Sequence, residues 1–453
     1  MKIPTIEFVS HASVIISHDE ISILSDPWFS GAAFHNGWRL IYEPSKSEIV
    51  KALNKITHIF ISHEHPDHFS PIFFKDKNIR DILINRGIEF LFQCTKDKRV
   101  ITFLKNQGFK VKEFNSTNKV KLSHDVEIQI VKSGFYDSLL IFKTPNFKII
   151  NMNDCPIKED SQIKKIRKLH GAFDLLLTQF SYAAWKGGIK NKTFRAKAAE
   201  EKLETIEKQA RLLDCKSVIP FASFIYFSNE LNFYMNDSIN TPTEVIKYFS
   251  NKKSNVFFFQ PGEIQNINNL KQNKLSIDFW NHNYNEIKNK KLKIDKYVDT
   301  INFNDLNLTF KSYKEKIFRK NSKILIFLLS KIKFMNFFQP LKIKLIDHDK
   351  IYNYSIFNGL NENIDIKEYD IKMHSQSLFF ILKNEFGFDT LTVNGCFEAN
   401  EIGFIKVTKT LALGNLNAMG LNLNFWLIFH PNIIILFLNI LNKVKNKIKI
   451  KYQ

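Results

Sequence analysis

The run His63-Glu64-His65-Pro66-Asp67-His68 follows directly on the apolar stretch 56–62, and no other segment constrains the chain as much. Three imidazoles and a carboxylate within six residues are costly to bury unless they share a partner, and a divalent metal ion suits them. Alternation along a strand or tight turn sends His63 and His65 one way and lets Asp67 and His68 reach a second point nearby. The run therefore predicts one metal at the first pair and another at the second. A solvated histidine-rich turn is the plainer reading, but a buried-type strand immediately before it argues against that.

Further signals accompany the run. They are His11-Ala12-Ser13-Val14, Asp26-Pro27-Trp28-Phe29-Ser30-Gly31, the apolar stretch ending Asn151-Met152-Asn153-Asp154-Cys155, and Pro220-Phe221-Ala222-Ser223-Phe224. Together with the histidine run, they resemble the metallo-β-lactamase superfamily over residues 1–262. Within it, the Asp-Pro-Trp and Pro-Phe-Ala segments are most similar to the catalytic half of CMP-N-acetylneuraminate hydroxylase and its bacterial relatives. Lactonases and N-acylphosphatidylethanolamine phospholipase D belong to the same broad branch. The resemblance implies an αββα sandwich of two sheets covered by helices.

At 453 residues the chain exceeds one average domain. Lys+Arg (65) exceed Asp+Glu (45) by 20, which favours anionic partners, although abundant Lys, Asn, Ile and Phe also suggest an AT-rich codon bias. The lysines are dispersed and lack an interleaved recognition pattern, which argues against nucleic acid. Cys94, Cys155, Cys215 and Cys396 form no Cys-x-x-Cys pair and read as reduced, buried thiols of a cytoplasmic protein. The N-terminus lacks an apolar signal core, and no stretch offers about 20 uninterrupted apolar residues, so the expectation is a soluble or membrane-peripheral chain.

Strands are predicted at 3–9, 14–16, 21–24, 58–61, 89–92, 126–131, 139–142, 148–151, 175–179, 218–221 and 256–259, with helices near 47–54, 96–106 and 196–213. Thr241-Pro242-Thr243-Glu244 reads as a capped helix start. The polar stretch 266–274 separates a catalytic domain, 1–265, from a smaller mixed α/β domain of unknown role, 275–453. In the latter, residues 389–395 end in a hairpin-type Asn-Gly signal. Its tail combines the apolar run 433–438 with Lys443, Lys445, Lys447, Lys449 and Lys451, a basic amphipathic pattern able to contact an anionic membrane.

The resemblance assigns His63 and His65 to a first metal, Asp67 and His68 to a second, and Asp154 to a bridge between them. Shared anionic charge offsets the repulsion of two close cations. Where the family supplies a further histidine to the first metal, this chain has Ser133-Gly134-Phe135-Tyr136-Asp137-Ser138, with His124 well upstream, so Asp137 is the natural replacement. A carboxylate there shifts preference from zinc toward iron or manganese. The family's late histidine is also missing: none occurs between His170 and His282. Asn229 and Glu230 offer oxygen near that point, and His11 offers nitrogen from the first strand. The cofactor is therefore one or two divalent ions of zinc, iron or manganese.

Trp28, Phe34, Trp38 and Trp185 lie in loops punctuated by Gly31, Gly37, Gly187 and Gly188, and they are candidate pocket walls or core residues. Lys186, Lys190, Lys192 and Arg195 are candidates for pairing with a phosphate, and Tyr182 and Tyr234 for donating to an oxyanion. The leading expectation is a metallo-hydrolase acting on a small anionic ester or lactone, with Asp67 orienting the attacking water. The alternative is an iron oxygenase hydroxylating a sugar nucleotide. The animal hydroxylase draws electrons through a Rieske domain whose Cys/His motifs this chain lacks, so that reading needs a separate electron donor. A non-catalytic protein with a residual metal site is the third reading.

Overall fold

The computed structural model describes residues 2–363 and 368–429, which form two compact units. The first comprises Met1–Lys296 with Val393–Gly395, and the second begins at Tyr297. The lysine-rich tail beyond residue 429 lies outside the described residues.

Two seven-stranded sheets build the first unit. In one, Ile264–Asn266, Thr5–Ser10, Ser13–His18 and Ile21–Ser25 run antiparallel, and His58–Ile61, Glu89–Gln93 and Lys110–Phe114 then join in parallel. Period-two alternation decides its faces. Ile6, Phe8, Val14, Ile16, Ile23, Phe60 and Leu91 face the inter-sheet core. Val9, Ile15, Leu24, Ile59, Ile61, Phe90 and Phe92 instead meet the helices Lys46–Leu53, Lys77–Asn85 and Arg99–Asn106 through Leu53, Leu83 and Leu104.

The second sheet runs Asn255–Val256, Ser217–Phe221, Leu175–Gln179, Lys148–Asn151, Asp137–Lys143, Glu127–Ser133 and Lys119–Lys121. Helix Lys192–Leu213 buries Leu203, Ile206, Ala210 and Leu213 in the same core. The architecture is the expected αββα sandwich.

The strand predicted at 256–259 shortens to Asn255–Val256, and Phe258 and Phe259 continue as buried irregular chain. Chain beyond 265 also belongs to the first unit. Helix Lys274–Lys288 stacks Trp280 on Phe224 at 3.9 Å between ring centroids, and the Trp280 indole nitrogen donates to Phe259 O. Thr241 and Glu244 form the expected capping box.

The second unit has a five-stranded sheet ordered Gly359–Asn363, Lys350–Ser355, Leu341–Leu345, Ile371–Met373, Phe397–Glu398. Leu341, Ile343 and Leu345 alternate with half-exposed Lys342 and Lys344. Helix Phe303–Lys320 presents Leu306, Phe310, Tyr313 and Ile317 inward, one helical stripe. The Asn394-Gly395 signal marks no hairpin. It ends the helix Gly387–Asn394, and Gly395, at φ 68°, takes the left-handed conformation common after a helix.

Candidate metal centre

Parallel strands deliver the site. The strand His58–Ile61 ends at Ser62, so His63 emerges at its carboxyl end, and the tight turn behind it closes through His68 N and Phe69 N donating to His65 O. On the other sheet the strand Lys148–Asn151 ends just before Asp154. Asn153, at φ 49°, supplies the left-handed residue that the corner needs, a conformation asparagine tolerates. His11 sits in the turn between the first two strands, where its carbonyl accepts from Ala222 N at 2.7 Å.

Two ligand groups result. His63, His65 and Asp154 each place a ligand atom within 4.8 Å of the others, as do His11, Asp67 and His68. Asp154 links them: its Oδ2 is 3.8 Å from His63 Nε2 and 3.6 Å from His68 Nε2. Asp67 Oδ2 lies 3.4 Å from both His11 Nε2 and His68 Nε2. Both ring nitrogens of His11, Nε2 of His63 and His68, and Oδ1 of Asp67 and Asp154 are buried without a hydrogen-bond partner among the described residues. Each unpaired buried polar atom costs about 1–3 kcal/mol, and two cations at these positions would satisfy them. The donor set therefore fits a metal pair.

The histidines are aimed from behind. Asp26 Oδ1 accepts from Ser62 N at 2.7 Å, and its Oδ2 accepts from Ser62 Oγ at 2.8 Å. Asp26 Oδ2 also lies 3.0 Å from His68 Nδ1, while Ser62 Oγ is 2.9 Å from His63 Nδ1. With both Nδ1 atoms protonated, these contacts are satisfied and both Nε2 lone pairs face inward, the usual way an outer carboxylate sets a ligand tautomer. Sequence reasoning missed this role for Asp26 and Ser62. The Asp-Pro-Trp segment was the available signal. Edge-on aromatic contacts finish the packing: Trp28 against His11 at 5.7 Å and Phe34 against His65 at 5.6 Å.

Electrostatics follow from burial. Burial holds the His63 imidazole well below its usual range. At His68 burial acts the same way, but Asp67, Asp154 and Asp26 outweigh it and hold the ring well above that range. Burial opposes ionisation of Asp67 and Asp154 too, yet His68 and His11 beside the former, and His63 and His68 beside the latter, keep both carboxyls low.

Asp137 adjoins the site but belongs to neither group. It opens the strand Asp137–Lys143 after the hairpin loop at Gly134, and its Oδ1 is 3.8 Å from His63 Nδ1, the nitrogen that faces Ser62. Burial first, and Asp154 second, push its carboxyl up to about 7. His124 is exposed, paired with Asp125 at 2.6 Å, and belongs to neither of these two groups.

Several other candidates serve the fold. Asn229 is buried, donates to Asn36 O at 3.3 Å and accepts from Leu231 N at 3.1 Å, so its amide offers the metals nothing. Glu230 pairs with Lys296 at 3.1 Å. The Tyr182 hydroxyl donates to Met235 O and that of Tyr234 to Gly187 O, which occupies both. Arg195 is buried in a two-point pair with Asp237 and also donates to Gly188 O and Ile189 O, so it braces the glycine loop. Trp28, Phe34 and Trp38 are core residues, at most 4% exposed. Cys94 is exposed, whereas Cys155, Cys215 and Cys396 are buried, and none of the four forms a disulfide among the described residues.

The open side of the site is cationic. His65 and Asp154 are half-buried there. Lys202, on helix Lys192–Leu213, donates to Gln179 Oε1, and Gln179 N donates to Asn153 O at 2.9 Å, which ties the lysine to the Asp154 corner. Burial lowers Lys202 to about 8; Asp154 opposes this, and Lys186 and Lys158 add to it. Burial also lowers Lys186. Lys202 and Lys158 escaped sequence reasoning because neither lies in a recognisable motif.

Residues 5–177 match the family model described as the beta-lactamase superfamily domain. The chain is 24% identical over 261 residues to the cytidine monophosphate-N-acetylneuraminic acid hydroxylase of Danio rerio, covering 53% of this chain and 42% of that protein. It is 23% identical over 274 residues to the inactive counterpart in Homo sapiens, covering 56% and 52%. The chain thus spans about half the length of these curated relatives. Among solved structures, a metallo hydrolase from Ignicoccus hospitalis aligns with TM-score 0.40 at 17% identity, over 58% of this chain and 97% of that one. CmlA, a diiron beta-hydroxylase from Streptomyces venezuelae, aligns with TM-score 0.40 at 12% identity, over 59% and 54%.

Proposed function

We propose that the first unit, whose residues 5–177 match the beta-lactamase superfamily domain, is a metal-dependent hydrolase acting on a small anionic ester or lactone. One observation carries the reading: two His/Asp groups meet at Asp154, and both ring nitrogens of His11, Nε2 of His63 and His68, and Oδ1 of Asp67 and Asp154 are buried without a hydrogen-bond partner among the described residues. Metal ions bound there would supply an activated water at neutral pH and Lewis-acid polarisation of the scissile group. Asp67, kept ionised, orients that water and takes its proton. Lys186 and Lys202 hold the phosphate or carboxylate of the substrate at the half-buried edge, where desolvation strengthens the pairing.

The test is turnover of phosphodiesters and lactones by the metal-loaded protein. Hydrolysis by the wild type that is lost in His65→Ala, with the cooperative fold retained, supports the reading. Activity that survives in His65→Ala places the chemistry elsewhere.

A second reading, hydroxylation of a sugar nucleotide, is supported by the similarity of over half the chain to the named hydroxylases. It requires iron, dioxygen and a separate electron donor. Dioxygen consumption that depends on reductant and on a CMP-sugar, without hydrolysis, would favour it.

A further inference from the structure

Helix Lys323–Lys331, in the second unit, is apolar on more than its buried side. Ile326 is fully buried, yet Ile324, Phe327 and Leu328 are 66%, 47% and 52% exposed. Their i, i+3, i+4 spacing places them on one stripe of the surface. Aromatic residues adjoin one end of it. Ser322 N donates to Leu423 O at 2.8 Å, and Leu423 N donates to Asn321 Oδ1 at 2.7 Å. These bonds bring the turn Phe425–Phe429 beside the start of the helix, and its Phe425 and Trp426 are 62% and 77% exposed.

Charge along the helix and the turn after it has one sign. From residue 322 to 337 the sequence holds three lysines (323, 331 and 333) and no Asp or Glu. Lys323, Lys331 and Lys333 form no salt bridge among the described residues. Lys331 Nζ lies 4.9 Å from the centroid of the Phe327 ring and Lys323 Nζ 5.6 Å from that of Phe318, so their stems run along aromatic surface while the ammonium groups stay at the rim.

We infer that this face docks the protein on an anionic lipid bilayer. Large apolar side chains in a contiguous exposed stripe mark an interaction surface. Three lysines without an ion-paired carboxylate among the described residues complement a sheet of negative headgroups better than a mixed-charge protein surface. Aromatic side chains at the edge of the stripe suit the headgroup level. Ile324, Phe327 and Leu328 enter the acyl boundary, and Lys323, Lys331 and Lys333 pair with headgroups. This docking is independent of the chemistry proposed for the metal centre.

The test is co-sedimentation of the full chain with vesicles of phosphatidylcholine alone or mixed with phosphatidylserine. Wild type should bind the mixed vesicles, release them as salt rises, and bind phosphatidylcholine at least about tenfold more weakly. A triple variant, Ile324→Gln with Phe327→Gln and Leu328→Gln, keeps residues 430–453 and should lose at least about tenfold in vesicle affinity with an unchanged thermal transition. If the triple variant unfolds, the milder pair Lys331→Gln and Lys333→Gln must weaken binding. Equal binding by wild type and folded variant overturns the proposal. So does concentration-dependent dimerisation that the triple variant abolishes in a protein that ignores vesicles, because a second copy of the chain would then be the occupant.

Discussion

His68 Nδ1 lies 3.0 Å from Asp26 Oδ2, and both side chains are fully buried. Residues 42 positions apart thereby fix one imidazole so that Nε2 points at Asp67 and Asp154. Through Ser62, the same carboxylate also steadies His63. Asp26→Asn keeps the shape but offers a poorer acceptor to two rings. It should weaken metal affinity about 10–100-fold, read by competition with a chelator, and leave folding cooperative. Unchanged affinity would show that the pair only packs.

His11 joins Asp67 and His68 in the second ligand group, with both ring nitrogens buried and without a hydrogen-bond partner among the described residues. His11→Ala should lower the bound metal by one equivalent per chain while the His63, His65 and Asp154 group keeps the other. Loss of both metals, or of neither, would contradict two separable positions.

Asp137 gives the chelator-treated protein a pH signature. Its carboxyl is raised from 3.8 to about 7 on folding, so between those values the folded chain holds a proton that the unfolded chain releases. Stability therefore falls as pH rises through that window. Asp137→Asn, which cannot ionise, should raise the melting temperature above about pH 7 and leave it unchanged below about pH 4. A uniform shift at every pH would mean that the carboxyl does not titrate there.

Lys202 is a depressed base, lowered from 10.5 to about 8. Carrying its proton in the folded state costs stability in full below pH 8, and the cost fades as pH climbs toward 10.5. Lys202→Met should accordingly stabilise the protein at neutral pH and lose that advantage in alkali. With an anionic substrate the same change should raise KM about tenfold or more and spare metal content. A lower metal content instead would assign Lys202 to the architecture of Asp154.

The candidate ligands were legible where geometry is local. Strand alternation and the spacing of His63, His65, Asp67 and His68 depend on neighbours in sequence, and Asp154 follows an unmistakable apolar strand. Long-range partners were not legible. Asn229 and Asn36 are 193 positions apart, and whether an amide offers oxygen to a metal or clamps a carbonyl depends on such a pairing. Tyr182 and Arg195 looked available because Met235 O and Asp237 are invisible as their partners in sequence. The polar stretch at 266–274 resembled a linker because helix Lys274–Lys288 reveals its inward face only once Trp280 meets Phe224.

Metal content tests the central claim most directly. Protein purified without added metal or chelator should carry about two transition-metal ions per chain by mass spectrometry, and His63→Ala with His65→Ala should lower that number. Metal-free wild type that takes up none on reconstitution, or wild type and double variant with identical content, would contradict a metal pair held at these residues.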